Sequence, residues 1–522
     1  MEKIDWQEWT AETLARARAE DKPILLDLDA TWCHWCHVME ETSYSDQEVV
    51  RLVIEGFIAI RVDPDRRPEI NDRYNQGGWP TTALLAPSGE VLFGATYVSP
   101  EQMRELLART IELWRTKRED IRTAIDAFRQ RAAEGKAAAA RRGPAPEDAL
   151  QEVIRVAKEQ YDFSFGGFAS PAAGYAPKFP FPEMLHVCLA YYSLTEDGEA
   201  LEMARKSLDG MLGLWDREEG GFYRYAVQRN WREPHYEKML QSNALLLSLY
   251  LHGWQVTGET RYREAAEGVI RWLLNTVGRP GGGFWGSQDA DGEEAYYGRS
   301  LAERAKMPKP SVDHTVFTDW NADAARALLE AFLLLGEEDY LRRATETVDY
   351  LLAECRQDGG PMFHYQREGE RALPGLLQDQ ARMIRALSRA YQITAEQRYL
   401  QAAEELARYL LDHLLDKEGG GFFDLPAPAG AEGLSLSRRK EITENALAAA
   451  GLLELSQLTD NAEYQAAAEG TLEFFAEEYS SYGPFAAAYA LAARQYHKPA
   501  ERAEDRRRVG AERGETGNQG GE

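Results

Sequence analysis

Two cysteines, two histidines, two tryptophans and a glutamate fall within residues 30–40, ATWCHWCHVME. The spacing of Cys33 and Cys36 suits three chemistries. A reversible dithiol asks for a strand running into Cys-x-x-Cys at the start of a helix, where free amides and the helix dipole stabilise a thiolate. PILLDLDATWCHWCHVME supplies that order, and Asp27 on the strand is placed to act as a buried carboxylate relaying a proton to the second cysteine. A zinc site would take Cys33, Cys36 and His37 with His34 or Glu40 as a fourth ligand, yet no second Cys or His pair follows within the first hundred residues. Cys-x-x-Cys-His also satisfies the haem-attachment pattern, which requires export, and MEKIDWQEWTAETLARARAEDKPILL has no basic stretch leading into an apolar one. The redox reading carries most weight, and neither a metal nor a cofactor is expected.

The other two cysteines, Cys188 in MLHVCLAYY and Cys355 in YLLAEC, lie on apolar helical stretches and are expected to be buried small hydrophobes. Four cysteines in 522 residues fit a reducing compartment, and the expected location is cytoplasmic. The 86 acidic residues against 60 basic ones give a net charge of -26, a field that repels phosphate backbones and anionic lipid. Neither nucleic acid nor a membrane surface is therefore expected as a partner.

The elements that must position these groups change character along the chain. Residues 1–116 mix short apolar strands with helices: PILLDLDA, FIAIRVD, TTALLAP and VLFGATYV read as strands, the last two joined by a turn at Ser88-Gly89. Helices are expected over Trp35–Tyr44 and over PEQMRELLARTIELWRT. Residues 117–146 turn to charge and alanine and read as a connector, helical or loose. From 147 to 497 amphipathic helices dominate, and a glycine-aromatic mark returns: GGF at 166–168 and 220–222, GGGF at 281–284, GGPMF at 359–363, GGGF at 419–422 and YGPF at 482–485. The copies lie roughly 55 to 75 residues apart, the length of two helices with their loops. Six marks imply six helical hairpins, and paired helices that cannot bury both faces alone should close into an (α/α)6 toroid. The tail, 498–522, is nearly devoid of apolar residues and is expected to be disordered. The fold class is thus multidomain, α/β followed by all-α.

Longer motifs carry a family resemblance. KPILLDLDATWCHWCHVMEETSYSD, VDPDRRPEI and GGWPTTALLAPSGEVLFGATY resemble the thioredoxin-like domain of the spermatogenesis-associated thioredoxin-domain family, while YAPKFPFPEM, GGFYRYAVQRNWREPHYEKMLQSNALL and SQDADGEE are similar to motifs of its helical half. That half resembles six-hairpin glycosidases and N-acylglucosamine 2-epimerases. The resemblance implies that Cys33 is the nucleophile, that Cys36 is the resolving thiol, and that Pro80 of GGWP follows a cis peptide beside the dithiol, presenting backbone polar groups to an extended substrate. The span between Pro68 and Gly77 is shorter here than in the family.

In the toroid, a carbohydrate site would need paired carboxylates or a histidine pair over aromatic platforms. Candidates for a substrate-binding barrel mouth are Lys178, Trp231, His235, Glu237, Lys238, Asp289, Asp291 and Asp379, with Asp313, His314 and Glu444 as further polar groups near the glycine marks. The functional expectation is a thiol-disulfide redox protein acting on a protein thiol or disulfide, whose toroid binds a substrate or partner. The alternatives are a carbohydrate-active enzyme, epimerase or glycosidase-like, taking a sugar or sugar acid, and a non-enzymatic redox-sensing scaffold. Trp6, Trp9 and a Trp35-Trp79 pair are expected to offer apolar docking surface.

Overall fold

The computed structural model describes residues 3–138, 142–290, 293–427 and 438–498. The chain separates into two compact units that divide near residue 141.

The first unit contains α1 (Ala11–Glu20), β1 (Ile24–Leu28), α2 (His34–Glu41), α3 (Gln47–Gly56), β2 (Ile58–Val62), α4 (Pro68–Tyr74), β3 (Thr81–Leu85), β4 (Val91–Ala95), α5 (Pro100–Thr116) and α6 (Arg118–Ala138). Its sheet runs in the order β2-β1-β3-β4, with β1 parallel to β2 and antiparallel to β3. All five residues of β1 are buried, as expected for a strand covered on both faces. Alternation sorts them. Leu25 joins Ala59 and Leu84 under Met39, Val53 and Leu107, whereas Ile24, Leu26 and Leu28 join Ile60 and Leu85 against Leu14 and Tyr74. The same alternation puts Asp27 on the Leu25 face, the one that α2 helps to cover.

The first unit departs from expectation at its leading tryptophans. Trp9 packs on Tyr74 at 5.2 Å within this unit's core and is not docking surface, while the half-buried Trp6 packs edge-on against Tyr44 at 4.9 Å at the margin of the other core cluster. Within the expected connector, residues 118–138 are helical as α6 and cluster with the first unit, while residues from 142 onward belong to the second. Arg118 and Arg122 both pair with Asp21, and Arg129 pairs with Glu90.

The second unit contains α7 (Ala149–Ala157), α8 (Pro182–Thr195), α9 (Gly198–Met211), α10 (Leu240–Thr257), α11 (Thr260–Asn275), two short helices α12 (Glu293–Tyr297) and α13 (Leu301–Arg304), then α14 (Thr318–Leu335), α15 (Glu338–Glu354), α16 (Leu377–Thr394), α17 (Gln397–Tyr409), α18 (Ile442–Thr459), α19 (Ala462–Phe475) and α20 (Ala487–His497). Helices α8, α10, α14, α16, α18 and α20 each contact the next, and α20 returns to α8, closing an inner ring. Behind them pack α9, α11, α15, α17 and α19, while α7 backs α20. Five hairpins are therefore consecutive and the sixth is assembled from the two ends of the unit. This is the expected (α/α)6 toroid. Residues 499–522, where the disordered tail was expected, lie outside the described residues.

Each glycine mark lies in a connection from an outer to an inner helix; at the first five the chain folds back through a bridge such as Trp215 to Phe222 or Leu415 to Phe422, while the sixth lies in a 3-10 helix, Tyr479–Ala486. Gly220 shows why glycine is required. Its φ is +89°, and a Cβ there would stand 2.0 Å from the Gly268 carbonyl oxygen. The same connections carry short strands. β5 (Tyr225–Ala226) pairs with β6 (Pro234–His235); β7 (Lys238–Met239), β8 (Ser287–Gln288) and β9 (Val312–Asp313) form a second sheet; β10 (Val316–Phe317), β11 (Phe363–Arg367) and β12 (Glu370–Pro374) form a third.

Candidate functional site

Cys33 is the N-cap of α2. Its backbone is extended and its Sγ accepts the Cys36 N–H at 3.2 Å. Cys33 and Cys36 are joined as a disulfide, with Cα atoms 5.2 Å apart. Both sulfurs of the disulfide are buried, the residues being 4% and 3% exposed. Trp35 between them is 47% exposed and lies edge-on to Tyr97 at 5.5 Å. The Trp79–Pro80 peptide is cis, as the resemblance implied. The expected Trp35-Trp79 pair is replaced by two others: Trp32 stacks on Trp79 at 5.7 Å, and Trp35 takes Tyr97.

Asp27 is held by the neighbouring strands, in register with Arg61 of β2 and Thr82 of β3. Its Oδ2 accepts from Arg61 Nε at 2.8 Å, while Oδ1 is buried with no hydrogen-bond partner. Burial pushes its carboxyl up to about 7, against the pull of Arg61 and with a further push from Asp29. Arg61 also reaches Glu40 of α2 at 2.5 Å and Asp29 at 3.4 Å, beneath the Trp6 ring at 4.2 Å. One guanidinium thus joins the buried carboxylate of β1 to the helix that carries the dithiol.

In the toroid, three of the residues expected at a barrel mouth hold the scaffold together instead. Lys178 Nζ donates to Asp162 Oδ2 at 2.9 Å and to the Gly166 carbonyl at 2.6 Å; Lys238 repeats the pattern on Asp216 and Gly220 at 2.7 and 2.8 Å. Lys440 makes a third copy on Asp416 and Gly420 at 2.7 and 2.6 Å. Lys178 and Lys238 are fully buried, with Arg229 and Arg304 completing the charge balance at Asp162 and Asp216. A lysine so enclosed staples the glycine turn and is not presented to a ligand. Trp231 is likewise structural: it is 2% exposed, its Nε1 donates to the Phe165 carbonyl at 2.9 Å, and its ring would be struck by a Cβ at Gly167 or Gly210.

The remaining candidates divide. The two loops carrying His235 and Asp289 do meet, through pairing of Lys238 with Gln288. His235 is half-buried and stacked on Tyr225 at 4.2 Å, with Glu237 at 3.7 Å from its Nδ1. Glu237 is 1% exposed and its Oε2 has no partner. Asp289 is half-buried and accepts from the Ala290 N–H at 2.6 Å. Asp291 lies outside the described residues. Asp379 is fully buried in the first turn of α16 and meets His364 of β11, whose Nδ1 stands 3.0 and 3.2 Å from its two oxygens. Asp319, in the first turn of α14, completes this group; burial and the charge of Asp379 push its carboxyl up to about 6, against His364.

Several groups were not foreseen. Farther along the inner helices, His186 of α8 and His252 of α10 stack with Nδ1 atoms 3.1 Å apart, and burial pulls His186 down to about 3. An amide clamp recurs as well. Asn243 Oδ1 accepts the Phe222 N–H at 2.6 Å, and Asn321, Gln380 and Asn445 do the same for Phe284, Met362 and Phe422. The signal was present in the sequence as SN, DWN, DQ and EN at the start of successive inner helices.

Residues 1–132 match the family model Thioredox_DsbH, described as a protein of unknown function, DUF255. The chain is similar to spermatogenesis-associated protein 20. Against the mouse protein the identity is 32% over 346 residues, 59% of this chain and 43% of that one, so the chain spans less than half the length of the curated relatives it matches there. Thioredoxin-1 of Drosophila melanogaster is 36% identical over 67 residues, 13% of this chain and 60% of that protein. Among solved structures, cellobiose 2-epimerase from Bacillus thermoamylovorans superimposes with a TM-score of 0.51 at 11% identity, covering 63% of this chain and 85% of the other. The chain therefore joins a thioredoxin-like domain to a helical toroid of the epimerase type of fold. No helix among the described residues is long and apolar enough to cross a membrane.

Proposed function

We propose that the first unit is a thiol-disulfide redox centre for a protein thiol or disulfide. The observation that carries this reading is the hydrogen bond from the Cys36 N–H to Cys33 Sγ at the start of α2, which stabilises negative charge on that sulfur when the pair is reduced. In the reducing direction the Cys33 thiolate attacks a substrate disulfide, forming a mixed disulfide and releasing one substrate thiolate. Cys36 then gives its proton to Asp27, attacks Cys33 Sγ and releases the second, leaving the protein disulfide. A carboxyl that titrates near neutrality inside the sheet is matched to that transfer. The exposed Trp35 and the half-buried Trp79, which Trp32 backs from inside, give an extended peptide an aromatic rim. A reducing compartment such as the cytoplasm suits the two remaining cysteines, which are buried and unpaired.

The test is a redox titration of the full chain in glutathione buffers, with free thiols counted by alkylation and mass spectrometry. Cys33 and Cys36 should convert together as one two-electron couple. A pair that stays fully reduced or fully oxidised across the accessible range would sink the proposal.

A second reading, that the toroid binds a sugar or sugar acid, is favoured by the stacked Tyr225-His235 pair and by Trp285 against His314 at 4.7 Å, aromatic platforms beside polar groups. Cellobiose 2-epimerase shares the fold and supplies no more than that. Weaker binding of mono- and disaccharides in His235→Ala and Asp289→Asn is expected; unchanged binding in both would remove this reading.

A further inference from the structure

Asp319, His364 and Asp379 come from three separate segments, the first turn of α14, β11 and the first turn of α16. One donor atom from each lies within 4.8 Å of the others, and all three side chains are buried. An aspartate in a first turn is favourable for a single helix. That accounts for either residue, but not for two from neighbouring inner helices meeting at one imidazole.

Charge balance decides what the group is for. Buried carboxylates are paired or bind metal, because an uncompensated ion costs several kcal/mol. Arg382, one turn beyond Asp379, is already committed: its Nε donates to Asp323 at 3.0 Å, and its Nη atoms fork onto Glu444 at 2.5 and 3.1 Å. Gln378 gives Asp319 a hydrogen bond at 2.9 Å but no charge. Arg382 still attracts both carboxylates at longer range, but among the described residues the His364 imidazole is the one cationic side chain in hydrogen-bond contact with the pair.

We propose that Asp319, His364 and Asp379 hold a divalent cation of the first transition row. One imidazole with two carboxylates suits manganese, iron or zinc, whereas magnesium and calcium favour all-oxygen sets. The separations of 3.0 and 3.2 Å between His364 Nδ1 and the Asp379 oxygens are close to those of two ligands sharing one ion at about 2.0–2.2 Å. Asp319 is held in place beforehand. Its Oδ1 accepts the Trp320 N–H and its Oδ2 accepts Gln378 Nε2, both at 2.9 Å, the outer hydrogen bonds that fix a ligating carboxylate. The ion ties two adjacent hairpins together and supplies the missing charge.

The experiment uses the wild-type chain with its disulfide closed, so that no thiolate competes. The protein is stripped with chelator, loaded with Mn2+ or Zn2+, gel-filtered and its metal counted, alongside His364→Ala and Asp379→Asn. About one equivalent and a raised melting temperature are expected in wild type, with affinity at least tenfold weaker in both variants. Should the variants fail to fold, pulsed electron paramagnetic resonance of Mn2+-loaded wild type reads the site directly and should show one coordinated imidazole nitrogen. No retained metal, equal affinity in the folded variants, or a Mn2+ signal without nitrogen coupling would each overturn the proposal.

Discussion

Asp27 and Arg61 face each other across parallel strands, Oδ2 to Nε at 2.8 Å, while the other oxygen of Asp27 is buried and unpartnered. Half of this carboxylate is therefore compensated and half is available for a proton.

A pH dependence of stability follows. The carboxyl of Asp27 titrates near 7 in the folded chain and near 4 when unfolded, so the folded state binds the extra proton between those values. Its contribution to stability is present below about pH 4 and is lost as pH rises to about 7. Asp27→Asn should remove that slope and stabilise the oxidised protein at pH 8 by roughly 2–4 kcal/mol, since Arg61 keeps Asp29 and Glu40. Denaturant unfolding at pH 5 and pH 8 measures it, and an unchanged slope would contradict the assignment.

The same variant should slow resolution of the mixed disulfide by Cys36 while sparing the first attack by Cys33. Stopped-flow reduction of a model disulfide separates the two steps. Equal slowing of both would mean that Asp27 acts on the fold and not on the proton.

In the toroid, Lys238→Met leaves Asp216 with Arg304 alone and should cost about 3 kcal/mol, at the low end for a broken buried ion pair. Asn243→Ala removes three buried hydrogen bonds and should cost roughly 2–4 kcal/mol. Denaturant midpoints check both. Loss of ligand binding in Lys238→Met without loss of stability would return that lysine to the barrel mouth.

The strands and helices beside the dithiol were legible because Cys-x-x-Cys chemistry needs a fixed local order, and residues 23–44 state it without help from distant contacts. The toroid was legible from its period. Which polar residue faces a ligand was not, because Lys178 and Lys238 look like ligand-binding cations in sequence and only the turn carbonyls of Gly166 and Gly220 reveal them as staples. His364 gave no local signal at all: it meets Asp379 and Asp319 only when the inner ring closes.

Cys188 and Cys355 are fully buried, and burial pushes both thiols up to about 12. In the native reduced protein, iodoacetamide at pH 8 should label Cys33 first and leave these two untouched until unfolding; early labelling of either would contradict the burial.

The central claim is that Cys33 attacks and Cys36 resolves. The most direct measurement is trapping of mixed disulfides with a peptide disulfide in full-length Cys36→Ser and Cys33→Ser. The account predicts a stable adduct on Cys33 in the Cys36→Ser variant and at least tenfold less adduct in the Cys33→Ser variant. Equal adducts in both variants, or none in either, would contradict it.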